Sequence, residues 1–298
     1  MPKKDNIQKM FDSIAPGYDA FNHLTSLGAD RRWRKTALRE VSGPRVLDEA
    51  CGTGDFAIAI ARHLEDLYRK GQKTEQVPAF RGGPIQKKAE NCSGPRFSRG
   101  TCTENGQKLN RSQGSEGNLF KKGPKSVQVS GISVVGVDIS EGMLEVMRRK
   151  VAEAGLDDAG CGSVSAETGD CCALSYPDAT FDTVTVAFGV RNFEDREKAL
   201  AEVLRVLRPG GRFVMLELGI PRNPVVRAAY KFYFTRIMPL IGSGISKDKA
   251  AYRYLPASVL DFPKPEEWMS TMQKAGFAEV RHRPLSLGIC NLFTGVRG

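Results

Sequence analysis

The stretch that most constrains this chain is a short apolar run, Arg45-Val46-Leu47, leading into Asp48-Glu49-Ala50-Cys51-Gly52-Thr53-Gly54-Asp55 and then the helical apolar spacing of 55–67. Strand, glycine turn and helix in that order open a sheet that carries helices on its faces. The pattern then recurs. A β-branched run at 132–138 precedes a helix at about 141–154, and 163–170 and 181–190 read as a third and a fourth strand. A helix at 195–207, stopped by Pro209-Gly210-Gly211, leads to a fifth strand at 211–219. The chain closes with a helix at 266–275 and two strands near 278–285 and 289–297, separated only by Leu287-Gly288. The spacing predicts an α/β fold: a Rossmann-like, doubly wound, mostly parallel seven-stranded sheet ending in an antiparallel hairpin. Residues 5–40, with Ile7, Met10, Phe11 and Ile14 on one helical face, read as an N-terminal lid. The aromatic-rich crossover 223–263 is a second cap for the ligand edge.

One segment does not fit this pattern. From about 68 to 130, Gly, Pro, Ser and Lys dominate and no periodicity persists. Such a composition buries too little apolar surface to offset its ordering entropy, so a disordered insertion is expected within one domain spanning 1–298. The formal charge of +10 belongs mostly to it: residues 66–130 hold 13 Lys/Arg against 5 Asp/Glu. Without that segment the charge is near balance, and no nucleic-acid partner is expected. An electrostatic tether to anionic lipid is the sharper alternative for the insertion. Seven scattered cysteines without a CxxC pair and three isolated histidines predict no metal centre. The N-terminus lacks the apolar core of a signal peptide, and a cytoplasmic protein is expected, with contact at the inner membrane face left open. A homodimer is also left open.

In an open α/β sheet the ligand sits at the carboxyl ends of the strands. Gly52-Thr53-Gly54-Asp55-Phe56-Ala57 formally matches the GxGxxA turn of dinucleotide enzymes. A pyrophosphate, however, needs positive potential at the helix start, and Asp48, Glu49 and Asp55 cluster there. A cationic, phosphate-free nucleoside such as S-adenosylmethionine fits these acids better. Asp138, ending the second strand, is placed to accept from both ribose hydroxyls. Met143 and Ile139 could flank an adenine, and Asp170 and Cys171, after the third strand, could hold its edge.

The order of these signals resembles that of class I S-adenosylmethionine-dependent methyltransferases. The segments 10–35, 47–55, 136–146, 181–211 and 246–263 resemble, closer still, the menaquinone/ubiquinone biosynthesis C-methyltransferase family, with Phe188-Gly189-Val190-Arg191-Asn192 and the stretch 252–263 much more specific than the glycine turn. The resemblance implies C-methylation of a prenylated quinol, either demethylmenaquinol or a methoxy-benzoquinol, with another small aromatic acceptor or an NAD-binding oxidoreductase as rival readings. It places Thr53, Asp138, Asp170 and Cys171 against the cofactor, and Asp48, Gly52, Gly54, Met143 and Tyr18 are assigned to the same site. Arg191 and Asn192 are the expected catalytic pair, orienting water and stabilising a phenolate. The competing role for Arg191 is a structural bridge to Glu194 or Asp195. Two departures from the family stand out: Ala187 where Ser is common, and Glu49 where an apolar residue is usual. The mix of Tyr, Phe and Ile with Arg227, Lys231 and Arg236 in 225–242 suits an apolar entrance with a basic rim at a lipid surface.

Overall fold

The computed structural model describes residues 4–69, 131–157, 164–238 and 249–298. The basic segment expected to be an insertion falls, from residue 70 onward, outside the described residues. Seven strands form one sheet: β1 (Arg45–Glu49), β2 (Ser133–Asp138), β3 (Val164–Thr168), β4 (Phe181–Ala187), β5 (Leu207–Leu218), β6 (Phe277–Leu285) and β7 (Cys290–Arg297). Their order across the sheet is β3-β2-β1-β4-β5-β7-β6. The first five strands are parallel, and β7 runs antiparallel to both β5 and β6. The seven-stranded, doubly wound sheet with its closing antiparallel pair matches the expectation.

Nine helices flank it: α1 (Lys4–Ile14), α2 (Tyr18–Thr25), α3 (Ala29–Ala37), α4 (Asp55–Arg69), α5 (Glu141–Glu153), α6 (Arg196–Val206), α7 (Pro224–Phe232), α8 (Lys249–Asp261) and α9 (Pro265–Ala275), counted among the described residues. The central strands are apolar on both faces because helices cover both. Val46 and Val134 belong to the layer shared with Ile60 of α4 and Met147 of α5. Leu47, Phe181 and Phe213 belong to the opposite layer, with Val203 of α6 and Trp268 of α9. Strand β6, at the sheet edge, carries Arg281, His282 and Arg283, charges that discourage pairing with another chain.

Two local readings differ from the sequence pattern. Pro209-Gly210-Gly211 does not stop α6: the helix ends at Val206 and β5 has already begun. Phe181 pairs with Leu207 and Thr183 with Arg212, so residues 208–211 bulge opposite Asp182, with Gly210 at φ 74°. A proline without an N–H and a glycine in the left-handed region suit a bulge as well as a helix stop. The closing hairpin is wider than Leu287-Gly288, since a short 3-10 turn, Ser286–Gly288, joins its strands.

Candidate functional site: two joined chambers at the strand ends

β1 and β4 lie side by side where the sheet order reverses, and a cavity of about 740 Å³ opens beyond the carboxyl ends of the strands there. Gly52, at φ 55°, and Gly54, at φ 81°, let the chain turn sharply out of β1. A Cβ on Gly54 would run into Met147 of α5, so the turn can sit this low only without a side chain. The N–H of Gly52 donates to Asp138 Oδ2 at 2.8 Å, and that of Ser140 donates to Oδ1 at 2.9 Å. Burial pushes the Asp138 carboxyl up, while these backbone donors pull against the shift. With four lone pairs and a third backbone donor at Ile139, the carboxylate keeps acceptor capacity for a ligand hydroxyl.

The cavity wall includes Gly52, Asp138, Met143, Asp170, Cys171, Asn192 and Tyr18. Asp170 is shaped by its own turn, with Oδ1 accepting from Cys172 N at 2.9 Å. Burial raises the Cys171 thiol, which is 4 % exposed, so it lines the wall as a neutral group. The geometry suits a nucleoside: a glycine cradle without side chains, a carboxylate with free lone pairs, and a half-polar wall.

Asp48, Thr53 and Gly54 are absent from that wall. Asp48 is buried within β1 and accepts from Thr185 Oγ1 at 2.5 Å, and burial pushes its carboxyl up to about 7. Glu49 has no measurable exposure, and neither carboxylate oxygen has a hydrogen-bond partner among the described residues. Asp55 bonds Lys150 of α5 and lies 3.7 Å from Arg34 Nη1. Thr53 Oγ1 donates to Asp19 Oδ1 at 2.5 Å, and Lys150 holds the other oxygen of Asp19 at 2.9 Å. The electrostatic argument from sequence is therefore corrected: none of the three acids of the turn faces the cavity. Asp48 and Glu49 are drawn toward neutrality by burial, and Asp55 is paired.

A second, largely apolar chamber of about 400 Å³ adjoins the first, and Phe11, Tyr18 and Phe188 line both. Its walls come from α1–α3, α7 and α8, the two caps expected from sequence. Asp12 fastens α1 to the start of α5, where its Oδ1 accepts from Ser140 Oγ at 2.6 Å and Gly142 N at 3.1 Å. Phe188 sits at φ 65°, an uncommon backbone for an aromatic residue, edge-on to Trp33.

Arg191 lines this apolar chamber and is 6 % exposed. Its Nη1 donates to Glu217 Oε1 at 2.7 Å and to the carbonyl of Phe188. Burial alone would lower the guanidinium, and the Glu217 carboxylate, together with Tyr18 and Tyr254, more than offsets it. The bridge is thus to Glu217 on β5, not to Glu194 or Asp195. Asp195 instead caps α6, accepting from Lys198 N at 2.9 Å. Asn192, one residue on, faces the first chamber, and Tyr254 donates to its Oδ1 at 3.0 Å from the wall of the second. Glu217 was not singled out from sequence, and Phe188 and Tyr254 were read only as parts of family motifs, without a role in the site. The acid inside an apolar strand, Met215-Leu216-Glu217-Leu218, was the signal available for Glu217.

Sheet order, glycine turn and the acid ending β2 together define a class I methyltransferase fold. A solved S-adenosylmethionine-dependent methyltransferase from Thermotoga maritima shares that fold, with a TM-score of 0.55 at 16 % identity over 98 % of this chain and 99 % of its own. The chain belongs to the ubiE/COQ5 methyltransferase family, whose sequence profile matches residues 1–77 and 96–297. It is 37 % identical to a ubiquinone/menaquinone biosynthesis C-methyltransferase of Geobacter sulfurreducens, over 99 % of this chain and 90 % of that protein. It is 34 % identical to a demethylmenaquinone methyltransferase of Bacteroides fragilis, over 99 % of this chain and 94 % of that protein. Fold and family imply S-adenosylmethionine as the methyl donor.

Proposed function

We propose that the chain, read as one methyltransferase domain over 1–298 with an insertion at about 68–130, methylates a ring carbon of a prenylated quinol, demethylmenaquinol foremost. The observation that carries this reading is the junction of the two chambers at Phe11, Tyr18 and Phe188, with a buried cation, Arg191, in the apolar one. A polar nucleoside site opening onto an apolar chamber suits methyl transfer between a water-soluble donor and a lipid-like ring. The name of the Bacteroides relative favours the menaquinone branch over the ubiquinone branch.

In this reading Asp138 accepts from the ribose hydroxyls, Met143 and Ile139 flank the adenine, and Asp170 and Cys171 hold its edge. Gly52 admits the donor to the turn, and Gly54 acts behind it by letting the turn pack against Met147. Asp48 and Thr53 act behind it, through Thr185 and Asp19. Tyr18 stands between the chambers. Bound S-adenosylmethionine supplies an electrophilic methyl on a sulfonium. The protein's part is to align the ring and raise the nucleophilicity of its carbon, and alignment in a closed site can contribute roughly 7–11 kcal/mol. Arg191 stabilises the phenolate left when a ring hydroxyl gives its proton to water that Asn192 orients. That charge would raise electron density at the ortho carbon, to which the donor would supply its methyl, its sulfur keeping the bonding pair. The proton on that carbon leaves to water and aromaticity is restored.

Asp138→Asn should weaken S-adenosylmethionine binding by about 10- to 100-fold in calorimetry, the range for a charge-assisted hydrogen bond. An unchanged affinity would take Asp138 out of the ribose contact.

At the chamber rim Leu27 is 86 % exposed, and α7 exposes Val225 and Phe232, seven residues apart on one face, with the exposed Arg227 and Lys231 on another. An exposed apolar face on a helix that also carries cations suits an anionic bilayer carrying the prenyl tail. The test is one incubation: labelled S-adenosylmethionine, each reduced demethylated quinol in anionic vesicles, and products identified by mass. Labelled menaquinol and a protein that pellets with the vesicles are expected. Label in neither quinol refutes the substrate, and label without pelleting refutes the docking.

A further inference from the structure

Three residues on the wall of the apolar chamber hold a buried donor that has no hydrogen-bond partner among the described residues: Arg34 Nε, Arg191 Nε and the Tyr230 hydroxyl. The two arginines engage other nitrogens, with Asp30 and with Glu217. Tyr230 has no other polar side-chain atom. It is 9 % exposed, stacked on Phe234 at 4.8 Å between ring centroids and packed with Phe21, Met238 and Val259. A buried hydroxyl without a partner costs about 1–3 kcal/mol, and phenylalanine would fill the same space without that cost. A tyrosine is accounted for if something absent from the free protein accepts from it.

We propose that the Tyr230 hydroxyl is a specificity-determining contact of the acceptor, donating to the ring oxygen that Arg191 does not stabilise. The inference rests on the quinol reading above. A single contact at Arg191 would leave the ring free to pivot in an apolar chamber. A second donor on α7 pins the two oxygens across the ring and presents one carbon to the methyl. Burial pushes the phenol's ionisation up, so the hydroxyl stays protonated and donates. The prenyl tail needs no polar partner and can leave along the apolar rim. An acceptor with only one ring oxygen would forfeit the second contact.

The test is a cycle of two enzymes and two acceptors: wild type and Tyr230→Phe, each with the reduced diol and with an analogue lacking the second ring oxygen. On the diol, the variant should lose about tenfold in kcat/KM, mostly through KM. On the analogue, the loss should stay below about twofold, since the partner oxygen is already gone. Tm should be unchanged or higher, because an unpartnered polar group has been removed; a hydroxyl that served only packing or folding would lower it. Equal losses on both acceptors, or no loss on either, overturn the inference and leave the quinol reading standing. A wild-type protein that methylates no reduced quinol overturns both.

Discussion

Arg191→Met is expected to lower kcat by about two to three orders of magnitude, the range for losing one preorganised stabiliser of developing charge. It is also expected to destabilise the fold by about 3–5 kcal/mol, because it strands a buried carboxylate. Glu217 shows no exposure, and its Oε1 accepts from both Arg191 Nη1 and Leu218 N. Activity loss in the single variant would therefore be ambiguous. Adding Glu217→Gln resolves it. The amide removes the stranded charge and keeps a carbonyl for one of the two backbone donors, Arg191 N and Leu218 N, so much of the thermal stability should return while turnover stays low. S-adenosylmethionine affinity, read by calorimetry, should remain within a fewfold of wild type throughout, since Arg191 lines the other chamber. If the double variant regains turnover along with stability, Arg191 serves only to neutralise Glu217, and the phenolate needs another partner.

That ambiguity reflects which parts of the site were legible in the sequence. The strands could be read because they are covered on both faces: β2 shows as the β-branched run Val134-Val135-Gly136-Val137, and β1 and β4 carry Val46-Leu47 and Val184, Val186 among their polar residues. Asp138 could be read because a strand end followed by a capped helix is a local feature: Ser140, the N-cap, accepts from Met143 N at 3.2 Å. The cap over residues 5–40 showed through its apolar helical face, and the one beyond 223 through its aromatic content. Charge placement was another matter. Asp48, Glu49 and Asp55 share one turn in sequence, yet each ends in a different environment. One bonds Thr185, one is sealed without a partner, and one meets Lys150, 95 residues away along the chain. Strand alternation sends adjacent side chains to opposite faces, and the partners come from a neighbouring strand and a distant helix. The sequence thus pointed to the donor that fold and family imply, although the acids it counted do not line the cavity. For Arg191 the nearest acids in sequence were the wrong ones, because Asp195 is used to start α6. The acid that binds it sits on the adjacent strand.

Replacing the sealed acid, Glu49→Met, is expected to stabilise the protein, and by an amount that grows with pH. Glu49 is fully buried with both oxygens unpartnered among the described residues. Burial raises its carboxyl well above the ordinary range, and the nearby acids Asp48 and Glu202 push it the same way. In the unfolded chain the same group ionises at about 4.3. Raising the pH past that value releases the proton from the unfolded chain first, so the stability this group contributes is full below about 4.3 and is lost as pH rises toward the folded value. The loss runs at up to about 1.4 kcal/mol per pH unit while the folded carboxyl stays protonated. Asp48, raised to about 7, adds a loss in the same direction between about 3.9 and 7. Glu49→Met removes the first of these slopes and also the cost of an unpartnered buried carboxyl, about 1–3 kcal/mol. Thermal unfolding should show a modest gain at pH 5 and a gain of at least about 5 °C at pH 7.5, taking roughly 2–4 °C per kcal/mol for a chain of this size. Glu49→Gln separates the two contributions, since its amide does not titrate and remains unpartnered. It should flatten the pH dependence as far as methionine does and yield less stability at pH 5. Parallel curves for wild type and both variants across pH 5 to 8 would mean that Glu49 is partnered in the folded protein, and the picture of a sealed, neutral acid beneath the glycine turn would have to be abandoned.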